Sequence, residues 1–189
     1  MYLGNETNAF MSFWRAIEVQ PAYPEALRNL SRIHLQRQEW DAVVHTARES
    51  LVVDPDSYIA RIMAAFGSYK LELYEDALRV LEPLLVPGGG RPTAWFMAGS
   101  SAQFLGRIRD AERYYRAGLE LQDDSVLGLN NLADILLDNP GSDAAALREA
   151  VSLAEKASSL SQRRNPAVEE TLHQARERVR AVDAEHESK

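Results

Sequence analysis

The sequence predicts an all-α fold, a right-handed solenoid of stacked helical hairpins with about ten helices. Two observations carry that expectation. Residue character repeats at a constant step of 34, as between Pro21 and Pro55. Within each step, apolar residues recur at i, i+3, i+4 and i+7, the spacing of one helix face. Units starting at Pro24, Tyr58, Pro92 and Val126 place Leu30, Ala64, Ala98 and Leu132 in the seventh column. The eighth column holds Ser31, Ala65, Gly99 and Ala133, all small. Val43, Ala77 and Ala111 share the twentieth, Trp40, Tyr74 and Ile108 the seventeenth, and Ile17, Leu51, Leu85 and Leu119 the twenty-eighth. Small residues at the eighth and twentieth columns let paired backbones approach, and larger neighbours fill the space between.

The periodicity places helices at about 5–20, 24–37, 39–53, 57–71, 74–86, 92–105, 107–121, 125–138, 144–161 and 166–184. The whole chain reads as one array: a half repeat at 4–21, repeats at 24–57, 58–91, 92–125 and 126–165, and a capping helix at 166–189. The opening half repeat has no partner helix ahead of it, which leaves Phe10, Phe13 and Trp14 partly uncovered. Two explanations compete: the chain is a fragment of a longer array, or Phe10 and Trp14 form an assembly surface for another chain, including a homo-oligomer. Pro83 removes one backbone hydrogen bond inside a predicted helix, so a kink is expected there. Gly88 to Gly90 replace a tight turn and mark the expected hinge. The run Asp138 to Asp143 lengthens another turn and moves the small column from Ala145 to Ala150, with Ser142 or Asp143 as the N-cap. The last helix, rich in mixed charge, suits a solvating cap that frays beyond Asp183.

The segment Ala94-Trp95-Phe96-Met97-Ala98-Gly99, followed by Gly106, Asp110-Ala111 and Tyr114-Tyr115, resembles the tetratricopeptide repeat (TPR) pattern over essentially the whole chain. That resemblance implies a groove lined by the first helix of each unit, which holds an extended peptide or a partner helix. Its columns two, five, nine, twelve and thirteen imply contact residues here: Arg28, Arg32, Ile62, Phe66, Tyr69, Lys70, Phe96, Phe104, Asn130 and Asp134, with Ile59, Ser100, Gln103, Leu127 and Asp138 beside them. The centre is apolar and aromatic, with Arg28, Arg32 and Lys70 at one end and Asp134 and Asp138 at the other. The carboxylate clamp of heat-shock co-chaperones is incomplete, because its positions hold Arg28, Arg32, Met63, Thr93 and Met97. Asn29 and Asn131 occupy the column of an asparagine ladder that Met63 and Met97 interrupt.

Chemistry is not signalled. Zero cysteines exclude disulfides and thiolate catalysis. His34 falls in a packing column, His45 is read as lacking a neighbour at metal-ligand spacing, and His173 and His186 lie on the capping helix. Neither a metalloprotease helix motif nor a nucleophile elbow nor a dinucleotide-binding glycine loop is present, so the expectation is a non-enzyme with no cofactor and no metal. The alternative is a targeting module of an enzyme whose catalytic domain lies outside this chain. A formal charge of −7 argues against nucleic acid. No stretch has the length and apolarity of a membrane span, and the start lacks the features of a secretion signal. The expected partner is a protein or peptide, with the compartment open between cytoplasm and periplasm; arginine-rich, cysteine-free composition leans bacterial.

Overall fold

The computed structural model describes residues 11–13, 15, 19, 24–139 and 141–187. Phe10 and Trp14 lie outside them, as does most of the expected half repeat; residues 11–13, 15 and 19 are helical. Nine helices with defined bounds follow among the described residues: α1 Pro24–Gln36, α2 Trp40–Val53, α3 Tyr58–Lys70, α4 Tyr74–Leu81, α5 Pro92–Phe104, α6 Ile108–Leu121, α7 Val126–Asp138, α8 Ala144–Leu160 and α9 Pro166–Glu187. The chain divides into two compact units, Met1–Leu84 and Leu85–Lys189.

In the first unit, α1/α2 and α3/α4 are antiparallel hairpins, and α2 packs on α3. The small columns are what close them. Ser31, Ala64, Ala65 and Ala77 are fully buried, and Leu27, Leu30, Val43, Ala47 and Leu81 fill the space around them. Ser31 sits opposite Thr46, hydroxyl to hydroxyl at 2.7 Å. Sequence places α4 out to residue 86, whereas it stops at Leu81 and tightens into a 3₁₀ turn at Glu82–Leu84. Pro83 is the reason, since it has no N–H for the Arg79 carbonyl and its ring crowds that carbonyl.

Both hairpin turns, and the equivalent turn in the second unit, use one backbone device. Gln38, Glu72 and Gly106, each 34 residues after the one before, adopt φ of 58°, 62° and 70°. The following amides then reach five residues back: Glu39 to the His34 carbonyl at 3.0 Å, Leu73 to Ser68 at 2.9 Å and Arg107 to Ala102 at 2.9 Å. This left-handed cap satisfies carbonyls that a helix end would otherwise leave orphaned.

The second unit holds the hairpins α5/α6 and α7/α8, with α9 against both α8 and α7. The five-residue slip expected in α8 is present: Ala150 is fully buried, whereas Ala145 is exposed. Asp143 is the N-cap, its side chain accepting from the Ala146 amide at 2.8 Å. Ser142 instead donates to the Leu136 carbonyl. The expected hinge carries φ of 69° at Gly88 and 84° at Gly90. The buried indole of Trp95 donates to the Gly89 carbonyl at 3.2 Å. The capping helix continues to Glu187 rather than stopping near Asp183.

Two stability outcomes follow. The hydroxyls of Ser50 and Ser68 are buried without a partner, so Ser68→Ala is expected to stabilise the fold by about 1 kcal/mol. No heavy atom lies within 4 Å of a Cβ built on Gly106, so Gly106→Ala isolates the backbone cost of its left-handed φ and is expected to destabilise by about 1 kcal/mol. Urea unfolding of the two variants checks the opposite signs.

Candidate functional site

In the second unit, the side chains of the first helices are positioned by Tyr115 of α6. Its ring lies flat on Gly99 of α5, so close that a Cβ there would sit 2.7 Å from Cε1. The residue is fully buried, which obliges its hydroxyl to find partners. It donates to Gln103 Oε1 at 3.0 Å, accepts from Asn131 Nδ2 at 3.1 Å and shares a 3.0 Å bond with Ser100 Oγ. One phenol therefore ties α5, α6 and α7 together and fixes three side chains at groove columns or next to them. Asn131 turns inward to serve it.

Phe96, expected in the groove, is only 6% exposed. The correction has a steric cause. Cβ atoms at Gly118 and Gly128 would lie 2.4 and 2.5 Å from its Cε1, so these two glycines form a slot that the ring fills. Phe96 serves the core of this unit. Two glycines inside predicted helices were the available signal, since such residues usually mark a close approach. Phe104, by contrast, is 62% exposed, and Leu127 is exposed as well.

On α7, Asn130 is buried, its Nδ2 donating to Asp134 Oδ2 at 3.3 Å, while its Oδ1 has no hydrogen-bond partner. Asp134 also accepts from Thr171 of α9 at 2.7 Å. Burial pushes the Asp134 carboxyl above the usual range, the Thr171 bond acts against this, and the neighbouring charge of Asp138 adds to it.

In the first unit, Phe66 meets Trp40 edge to face at 5.8 Å between centroids, and Lys70 Nζ stands 5.5 Å above the Phe66 ring and 5.8 Å above Trp40. Tyr69 meets Tyr74 at 5.5 Å, and burial raises its phenol, with Tyr74 adding to the shift. Even on an exposed side chain such as Lys70, an ammonium over aromatic faces is favourable by up to about 1 kcal/mol, so this cluster is self-supporting. Ile62 is half-buried and Arg32 exposed. Arg28 is engaged by Glu25 at 3.1 Å and Asp54 at 3.8 Å.

Solved structures resemble this arrangement. MamA of Desulfovibrio magneticus RS-1, residue 41 to the end, superposes with a TM-score of 0.73 at 14% identity over 86% of this chain and 89% of that one. YrrB, described as a TPR protein with an unusual peptide-binding site, gives 0.66 at 17% over 86% and 90%. A thermophilic TPR protein of Thermus thermophilus gives 0.62 at 20% over 92% and 91%. The chain has the tetratricopeptide-repeat fold. No family model matches its sequence, and no curated protein does.

Within this tetratricopeptide frame, His34 is not a pure packing residue: its imidazole, largely shielded, contacts the Glu39 carboxylate. Among the described residues, no group of three or more His, Asp or Glu is arranged to hold a metal ion, and no helix is long and apolar enough to cross a membrane.

Two carboxylates of the second unit give opposite pH signatures. The raised Asp134 stabilises the fold fully below its unfolded pKa and loses that contribution as pH rises through its folded value. Glu149, held down by a two-pronged bond to Arg116 at 2.6 and 2.9 Å, contributes above its unfolded pKa and loses it as pH falls through the folded one. Asp134→Asn is therefore expected to gain stability at neutral pH and to lose the advantage in mild acid. Glu149→Gln is expected to be destabilised at neutral pH and to approach the parent in acid. Thermal melts across that range read both.

Proposed function

We propose that this chain is a non-catalytic protein-interaction scaffold, holding a peptide or helix of a partner protein on its first helices. The observation that carries the reading is the 62% exposure of Phe104 on α5, accompanied by 56% at Ile59 on α3 and 57% at Leu127 on α7. All three belong to first helices, in the columns the repeat pattern assigns to a ligand. A rigid aromatic ring more than half exposed to water is unfavourable, and it becomes an anchor once a partner covers it. The half-buried Phe66, capped by Lys70, and the half-buried Tyr69 offer a second contact with the charge at its rim, and Arg32 and Ile62 extend it. The fold likeness to YrrB, whose description includes a peptide-binding site, supports the same reading. Phe96 takes part indirectly, by setting the height of α5 against α7.

Panning a displayed library of short peptides against the whole chain tests the proposal. Binders are expected to lose about tenfold in affinity with Phe104→Ala or Phe66→Ala, while circular dichroism melts show both variants folded. Failure to recover any binder, or binders indifferent to both changes, overturns it.

A further inference from the structure

The first unit sorts its charge by helix. In a chain with 28 acids against 21 lysines and arginines, its first helices α1 and α3 carry four lysines and arginines and one acid, Glu25. The second helices α2 and α4 reverse this, with four acids and two arginines. Glu25 is engaged by Arg28 at 3.1 Å, and Arg61 donates to the carbonyls of Pro55 and Val80. Arg32 and Lys70 remain, both exposed and neither with a carboxylate partner among the described residues. Each stands in a ligand column of its helix.

Lys70 also ends an apolar row. Ile59, Ile62, Phe66 and Lys70 fall at i, i+3, i+7 and i+11 of α3, one face of the helix. Ile59 is more than half exposed, and Ile62 and Phe66 are half-buried. At the end of the row the ammonium stands over the rings of Phe66 and Trp40. Those rings attract its charge, yet its three N–H donors still call for a true acceptor. The row is roughly 16 Å long, which an extended chain covers in about five residues.

We infer that the first unit takes an acidic segment of the partner protein, extended along α3, with apolar side chains over Ile59, Ile62 and Phe66 and an aspartate or glutamate at the Lys70 end. Arg32, on the neighbouring α1, adds to the attraction. The inference rests on the scaffold reading and adds the sign and spacing of the partner's charge. Arg28, in the clamp column, is already engaged by Glu25 and Asp54, so the acid is a side chain within the segment rather than a chain end.

The experiment separates the two levels. Peptides selected on the whole chain are sequenced, resynthesised with amidated C-termini, and titrated by fluorescence polarisation at low and high salt. Aspartate or glutamate is expected within about five residues of an apolar position, with affinity falling as salt rises. Lys70→Gln is expected to weaken binding about fivefold and to flatten the salt dependence, Lys70→Arg to preserve both, and Arg32→Gln to act in the same direction as Lys70→Gln. Replacing the peptide's acid by its amide is expected to cost the parent chain as much and the Lys70→Gln variant little. Binders that respond to Phe66→Ala but show no acidic enrichment, or that bind equally well with the acid changed to its amide, overturn this inference and leave the scaffold standing. An absence of binders overturns both.

Discussion

The ring of Tyr115 lying on Gly99 is the contact on which the second unit depends. It needs three things together: no side chain at position 99, a large flat one at 115, and partners for a hydroxyl sealed from water. The ring sets the distance between α5 and α6, and the hydroxyl reaches on to Asn131, so the same residue also positions α7. Phe96 repeats the arrangement with polarity removed, its ring held between Gly118 and Gly128. In both cases a glycine gives up packing of its own so that an aromatic ring can occupy the space. A change at either partner leaves a cavity or a clash, each costly in an interior this closely packed.

Most of the architecture is legible in the residues. Small columns at Ser31, Ala65, Gly99 and Ala133 announce helices that meet closely, and each of those residues is buried. Asp143 and the displaced Ala150 were equally readable, because an N-cap and a helix face have local signatures. The end of α4 was not placed correctly. Proline's effect reaches back to the preceding turn, so apolar periodicity through residue 86 outlasted the helix itself.

The candidate site was less legible, and Phe96 shows why. Column position tells which way a side chain leaves its helix. It does not tell whether glycines on neighbouring helices have opened a space to receive it. Asn130 and Asn131 differ in the same manner: adjacent in sequence, Asn130 is held by Asp134 one turn along its own helix, whereas Asn131 is held by Tyr115, which only the assembled helices bring into reach. Exposure, by contrast, was readable at Phe104, a large apolar residue in a ligand column with no glycine opposite.

The boundary between the two compact units falls inside a repeat. Helices α3 and α4 go with the first unit, and the residues after Leu84, which complete the same 34-residue period, go with the second. The period written in the gene and the body that coheres in space are therefore different lengths. An array of this kind can be extended by copying one period, yet a cut at the period boundary between residues 91 and 92 would part the Gly89 carbonyl from the Trp95 indole that donates to it.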